Sequence, residues 1–465
     1  MRMRGRYTCP SIMIIVLFLV CTTAIAKTGI ADRKRLLKQK AIAIRINEKE
    51  KVPEISDSST LNDYIKIGQA RNPGLRAAFY EWQSAFNKIA QSFSLPDPQV
   101  TFTEYIEEVE TRVGAQQRAL AVKQKFPLPD KLWIRKNKAF KASEAAYYNF
   151  EKKRLDLLFK ISDAYYEYAY LSKAILLTME NMKLLQNFES VARTKYSAGL
   201  QKNQDLLKVQ VELGKLENEL YSLKDLRSSL TARLNALLNL PAGNELPWPD
   251  ESLEDLHLED EYQDVNALAG TLKKKNPELL ALSENVAKSK ESLKLSKREY
   301  FPDLTLGLKW IETDEARNST ATFDSGKDPV MLFFSMNVPL WFGRLQAGVR
   351  DARASLKAAE NQAVSAENEL LSRLSMIHYK MRDALRQSYL YQNALIPKAI
   401  QTVNAIYASY AAGGSDFLAL IDAQRVLLNF QLIYYRHNAN FYQRLSELQS
   451  LLGLEQKQIS NQRRD

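Results

Sequence analysis

Cysteine is nearly absent. Of 465 residues only Cys9 and Cys21 carry a thiol, and both lie in a segment that reads as a secretory signal. Arg2, Arg4 and Arg6 precede an apolar run from Ile12 to Val20 that is too short to span a bilayer comfortably, and Ala24-Ile25-Ala26 supplies a small-residue cleavage site. Residues 1–26 are expected to be removed, leaving Lys27 first. Two alternatives stay open: an uncleaved anchor, and lipid modification at Cys21, where Val20 stands at a position that a lipobox fills with Gly, Ala or Ser. A mature chain without cysteine has no disulfide, no thiolate metal site and no cysteine nucleophile.

Histidine is almost as scarce. His257, His378 and His437 are far apart in sequence and read as surface or packing residues. There is no His-Glu-x-x-His, no Gly-x-Ser-x-Gly and no Gly-rich phosphate loop. No catalytic residue, cofactor or resident metal is expected, and an enzyme is not the favoured reading. Met179 and Met182 lie at seam spacing on a long helical pattern, so they read as packing. Most carboxylates sit among Lys and Arg on helical faces, as solvated pairs do.

Long apolar runs are missing as well. No segment after residue 26 has about 20 consecutive apolar residues, which leaves a closed β-barrel as the available way to cross a membrane. The positive charge is local. Loss of three arginines with the signal lowers the net charge from +11 to +8, and the stretch 27–51 holds nine Lys/Arg against three Asp/Glu. The excess is a basic N-terminal arm, residues 27–59, suited to anionic headgroups rather than to nucleic acid.

What is present is a duplication. Asn72-Pro73 opens a helical segment, a strand pair, Phe126-Pro127-Leu128 and a very long helix; Asn276-Pro277 reopens the series. Tyr196-Ser197-Ala198-Gly199-Leu200 recurs as Tyr410-Ala411-Ala412-Gly413-Gly414. The offset is about 204 at the start and about 214 at the end, so the copies differ in loop length. The first copy spans 60–262, with strands near 99–105 and 116–126, helices near 130–198 and 201–240, and an acidic joint at 241–262. The second spans 263–454, with strands near 302–311 and 330–339 and helices near 345–412, bent at Pro397, and 415–452. Residues 455–465 read as a frayed end.

From Asp130 to Ala198 there is neither Gly nor Pro, about 69 residues or roughly 100 Å of continuous helix. Leu158, Ile161, Tyr165, Tyr168, Ile175, Met179 and Met182, with Ser172 in the gap, mark a 3-4 seam for near-parallel helix packing. The strands alternate. Leu304, Leu306, Leu308 and Trp310 face one way, against Asp303, Thr305, Gly307 and Lys309. Tyr105, Phe126, Trp310, Trp341 and Phe342 fall near strand ends, as aromatics do at membrane interfaces. Four strands of about ten residues match a tilted bilayer crossing, but about eight is the smallest common barrel. Three chains would supply twelve strands, wide enough for a water path. The fold class is α+β, mostly α: long antiparallel coiled-coil hairpins with a four-stranded share of a trimeric barrel.

This arrangement resembles the TolC-like outer-membrane efflux protein family across roughly residues 60–454. The resemblance rests on the doubled organisation, the two Asn-Pro pairs, the Tyr-x-x-Gly turns, the run Asp416-Phe417-Leu418-Ala419-Leu420-Ile421-Asp422-Ala423-Gln424-Arg425 and Leu451-Leu452-Gly453-Leu454. It implies a homotrimer in a Gram-negative outer membrane, in contact with its lipid, with a helical tunnel in the periplasm. It also implies a periplasmic adaptor and an inner-membrane pump as partners. Phe126-Pro127-Leu128-Pro129-Asp130-Lys131-Leu132 and Asp163-Ala164-Tyr165-Tyr166 are similar to the heavy-metal cation efflux branch. The family places aspartates after the second turn as constricting rings, which makes Asp416 and Asp422 gate candidates and Gly199, Gly413 and Gly414 the tip turns. The position often acidic in relatives is Ala419 here, which puts a double ring in doubt. Asp416 also fits a helix N-cap. Metal ions, drugs and polypeptides all stay open as cargo. The competing class is a periplasmic coiled-coil adaptor or scaffold without a barrel, which explains the helices but not the apolar strand faces.

Overall fold

The computed structural model describes residues 53–199, 203–249, 253, 256–317, 323–412, 414 and 417–455. The signal, most of the basic arm and residues 456–465 lie outside these, as do Gly413 and Asp416.

In chain order the elements are α1 (Leu61–Arg71), α2 (Pro73–Phe93), β1 (Gln99–Thr111), β2 (Gly114–Phe126), α3 (Pro129–Ser197) and α4 (Asn203–Leu238). They continue with α5 (Val265–Lys275), α6 (Pro277–Arg298), β3 (Leu304–Thr313), β4 (Val330–Met336), α7 (Phe342–Leu390), α8 (Ile396–Ala411) and α9 (Phe417–Leu452). Within the described residues the chain divides into a sheet unit, 81–147 with 281–363, and a helical unit, 53–80 with 148–280 and 364–455.

The sheet unit carries an antiparallel meander, β1-β2-β3-β4. β1 runs to Thr111, beyond the expected Tyr105, across a register shift between Glu104 and Val109. A bulge lets the strand continue through polar residues that break simple alternation. β4 ends at Met336, because Pro339 and the segment before it leave the ladder. Gly307 sits opposite Phe333, and a Cβ there would meet the Phe333 ring at 2.1 Å, so the ring lies over the glycine's bare backbone.

In the helical unit the expected helix from 345 to 412 is interrupted. A π-helical turn, Tyr391–Leu395, separates α7 from α8. Pro397 explains it: proline donates no N–H and its ring crowds the carbonyl four residues back, and a wider turn accommodates both. The α3 seam also departs from the even 3-4 spacing. From Leu155 to Leu171 the helix is buried on most sides, by Leu158, Ile161, Tyr165, Tyr168 and Ala169 among others. Beyond that the buried stripe runs through Ala174, Thr178, Asn181, Leu185, Phe188 and Ala192. An extra step of three shifts the phase, so Ile175 and Met182 are half-buried and Met179 is 39% exposed.

The two Asn-Pro pairs have the same conformation, φ −63° and ψ 120° at Asn72, φ −61° and ψ 121° at Asn276. Each caps the end of one short helix and the start of the next. Within the joint at 241–262, Leu246, Trp248 and Leu253 are held against the helices. Tyr168 Oη donates to the Leu246 carbonyl at 2.9 Å, Trp248 stacks on Tyr168 at 4.8 Å, and Asn438 Nδ2 donates to the Leu253 carbonyl at 2.6 Å.

Candidate functional site

Two places combine chemistry with exposure, one in each unit. The first is a face of the sheet. Register aligns Val100-Val122-Leu308-Leu332 in one row and Phe102-Leu120-Trp310-Val330 in the next, with Phe126-Leu304-Met336 at the helix-bearing end. Val100, Phe102, Val330, Leu332, Phe334 and Met336 are all exposed, Phe334 by 75%. An apolar surface this continuous, left open, demands an apolar medium. It ends in an ionic row, where Arg118 Nε lies 3.3 Å from Glu104 and 4.0 Å from Glu312. From that row to Phe126 is roughly 27 Å along the strand at about 3.4 Å per residue. The opposite face carries Thr101, Thr103, Lys123, Thr305 and Ser335.

The junction of β2 with α3 is locked by a buried ion pair. Lys131 Nζ donates to Asp303 Oδ1 at 2.7 Å and to the Phe301 carbonyl at 2.7 Å, while Lys125 Nζ reaches Asp303 Oδ2 at 3.0 Å. Asp130 adds a 2.9 Å pair with Arg298. The Phe126–Leu132 motif is thus a mechanical joint.

The second place lies where α3 and α8 end and α9 begins. Lys195 Nζ donates to the Tyr410 carbonyl at 2.6 Å and sits 4.1 Å from the Tyr410 ring, which leans on Phe417. Phe188, Ala192, Val209, Val403, Leu420 and Ile421 form the apolar core behind them. On α9, Asp422 is exposed and lies 3.3 Å from Arg425. Arg425 also grips Glu212 of α4 through two hydrogen bonds, 3.1 and 3.2 Å, and Lys215 stands 3.4 Å from the same carboxylate. Burial works to raise the Glu212 carboxyl; the hydrogen bonds and charges of Arg425 and Lys215 outweigh it and hold the group below the usual carboxylate range. Beside this cluster is a cleft of about 560 Å³ lined by Asn181, Leu216, Glu219 and Leu432 among others. In its wall Gln424 Nε2 donates to Asn181 Oδ1 at 2.6 Å, and both amides are buried.

The sequence-predicted residues divide between these places. Asp422 joins the Arg425–Glu212 cluster, whereas Asp416 and Gly413 lie outside the described residues. Gly199 ends α3 with φ +71°, a conformation glycine tolerates best, and Gly414 donates its N–H to the Ser409 carbonyl at 2.9 Å. Phe126 is half-buried at the helix-bearing end of the sheet, and Trp341 and Phe342 are exposed at the start of α7. Trp310 lies one row from the ionic row, and Tyr105 is half-buried beyond it. His378 is buried with Nε2 3.1 Å from the Tyr262 carbonyl, and His437 stacks near Tyr391. Among the described residues no three His, Cys, Asp or Glu side chains are grouped to hold a metal. Sequence reasoning missed the roles of Glu212, Arg425 and the Lys131–Asp303 pair. Asp422 and Arg425 carry an i,i+3 signal, but nothing local marks partners about 170 to 213 residues away.

Comparison with known proteins decides the family. The outer membrane efflux protein family matches residues 65–240 and 268–454, most of the chain. The chain belongs to that family. It is an outer-membrane efflux channel, and such channels work in tripartite systems. The cobalt-zinc-cadmium resistance protein CzcC of Cupriavidus metallidurans is 22% identical over 405 residues, covering 86% of this chain and 91% of that one. Toxin and drug export protein A of Aggregatibacter actinomycetemcomitans is 21% identical, covering 67% of this chain and 68% of its own. The crystal structure of VceC, an outer membrane protein of Vibrio cholerae, shares the fold with a TM-score of 0.70 at 18% identity, covering 84% of this chain and 96% of that one. For an outer membrane efflux protein the exposed apolar sheet face is the lipid-facing wall, and its polar reverse is the lumen.

Proposed function

We propose that three copies of this chain close a twelve-stranded barrel that passively exports heavy-metal ions, delivered by an inner-membrane pump through a periplasmic adaptor. The observation that carries the trimer is the meander's pair of open edges. β1 and β4 each pair on one side only among the described residues, and unpaired backbone edges are not tolerated in hydrocarbon. Four strands per chain reach twelve with threefold closure. Chemical cross-linking in native membranes followed by denaturing electrophoresis tests this; a monomer or dimer as the largest product refutes it.

The metal reading is supported by the likeness to CzcC, which covers more of this chain than the likeness to the toxin and drug exporter does. A conduit needs no tight metal site, because it must release what it passes. A deletion strain grown on cobalt, zinc, cadmium, copper and nickel should lose tolerance to at least one of them. Unchanged growth with lowered drug tolerance would favour the exporter reading.

Within this reading the duct catalyses nothing itself. Asp422, with Arg425 and Glu212, belongs to the periplasmic gate. The turns at Gly199 and at Gly413-Gly414 form the tip, and Tyr105, Phe126, Trp310, Trp341 and Phe342 meet the membrane interfaces. The signal 1–26 is removed, so the mature chain starts at Lys27. Single-channel recording tests the gate: an Asp422→Ala channel with unaltered opening and cation block removes Asp422 from it.

A further inference from the structure

We propose that the barrel of this channel carries a lysine collar that makes it pass anionic solutes in preference to cations; this rests on the trimeric-channel reading above. The sheet's register supplies the argument. Lys123 pairs with Gly307, and Lys309 pairs with Ala121, so the two lysines are diagonal neighbours on adjacent strands. Both are on the face opposite the apolar rows of Val100 and Phe102, which places them toward the lumen. Diagonal residues on one face stand roughly 7–8 Å apart, within reach of long side chains, and like charges so placed repel.

No direct cross-strand neighbour offsets them. Gln99, Gly307, Ala121 and Met331 are their direct cross-strand neighbours, and none is acidic. The nearby carboxylate, Asp303, is already held by Lys131 and Lys125. Of the strand acids, Glu104 and Glu312 lie on the outer face with Arg118, and Glu107, Glu108 and Glu110 stand toward the far end of β1, the last two paired with Arg317. Lys123 is exposed and Lys309 half-buried, with no ion pair to either among the described residues. Ala121 beside Lys309 is small, whereas the Phe333 ring covers Gly307 beside Lys123.

Threefold repetition turns the pair into a positive belt around the pore. Such a ring concentrates anions and repels cations, and its low-dielectric wall strengthens the effect. It takes carboxylate-, phosphate- or sulfate-bearing solutes. For a metal cargo the corresponding species is an anionic complex rather than the bare cation.

The test is reversal potential in planar bilayers under a KCl gradient, using the full mature chain. The wild-type channel should favour chloride over potassium by about twofold or more. Lys123→Glu with Lys309→Glu should reverse the preference, and Lys123→Gln with Lys309→Gln should reduce it toward unity. Lys123→Arg with Lys309→Arg keeps the charge and should keep the selectivity. A wild-type channel that prefers potassium overturns the collar, as does a ratio unaffected by the Glu and Gln pairs. Absence of any conductance from membrane-inserted protein instead overturns the channel reading.

Discussion

Asn276 clamps Leu451. Its Nδ2 donates to the Leu451 carbonyl at 2.8 Å while its Oδ1 accepts the Leu279 N–H at 3.0 Å. Asn72 repeats the arrangement with the Leu237 carbonyl at 2.9 Å and the Leu75 N–H at 3.0 Å. One amide therefore caps a helix start and satisfies a carbonyl at the end of the long helix that closes the same repeat. Replacing either asparagine with alanine should cost about 1–2 kcal/mol, and the two losses should add. Urea unfolding followed by far-UV circular dichroism measures both.

The residues two positions beyond those carbonyls predict changes of opposite sign. Asn239 has φ +56° and Gly453 has φ +72°. Asn239→Gly relieves a left-handed backbone and should be neutral or stabilising by up to about 1 kcal/mol. Gly453→Ala strains that backbone and brings a Cβ within 2.3 Å of the Lys275 carbonyl oxygen. It should cost about 1–3 kcal/mol. Comparing melting midpoints of the two variants gives the signs directly.

Removing one partner of the buried Lys131–Asp303 pair should be severe. Lys131→Met leaves a carboxylate with only the half-exposed Lys125, and the expected loss is about 3–5 kcal/mol. Lys131→Met with Asp303→Asn should recover part of it. Resistance of the sheet unit to limited proteolysis reads the difference; equal resistance in the single variant and wild type would show the pair to be dispensable.

Acid should loosen the α4–α9 contact. The folded Glu212 carboxyl lies below its ordinary range, because Arg425 and Lys215 overcome the raising effect of burial. The unfolded carboxyl therefore takes up a proton first as pH falls. Its stabilising contribution is complete above the ordinary carboxylate value and is lost as pH drops through the lowered folded value. Arg425 is about half exposed, which keeps the effect modest. Unfolding measured from about pH 6 to about pH 2 should be steeper for the wild type than for Glu212→Gln. Glu167, gripped by Arg436 at 2.7 and 3.0 Å against the raising effect of burial, has the same sign.

Local pattern carried much of the fold. The Gly- and Pro-free run after Asp130 is α3, Gly199 stops it, and the alternation around Leu306 and Leu332 is a strand pair. The errors arose where a partner, rather than a neighbour in sequence, sets the answer. The α3 seam shifts phase because helices surround it between Leu155 and Leu171. Leu246 and Leu253 of the acidic joint are held by Tyr168 and Asn438, partners that no local pattern names. Around the Arg425–Glu212 cluster, Asp422 and the turn at Gly199 were legible in the sequence, whereas the arginine–carboxylate grip was not.

By itself the sequence determined period and punctuation: two copies, their helices and strands, the apolar and polar strand faces, and a family signature spread along the chain. These are properties of adjacent residues, written in backbone preference and hydrophobic spacing. Only the tertiary structure decided register and partnership. It set Lys123 diagonal to Lys309, gave Asp303 to Lys131, and joined Arg425 to Glu212. Strand register and side-chain pairing depend on elements far apart in the chain, and a single-residue slip would turn every strand side chain to the other face.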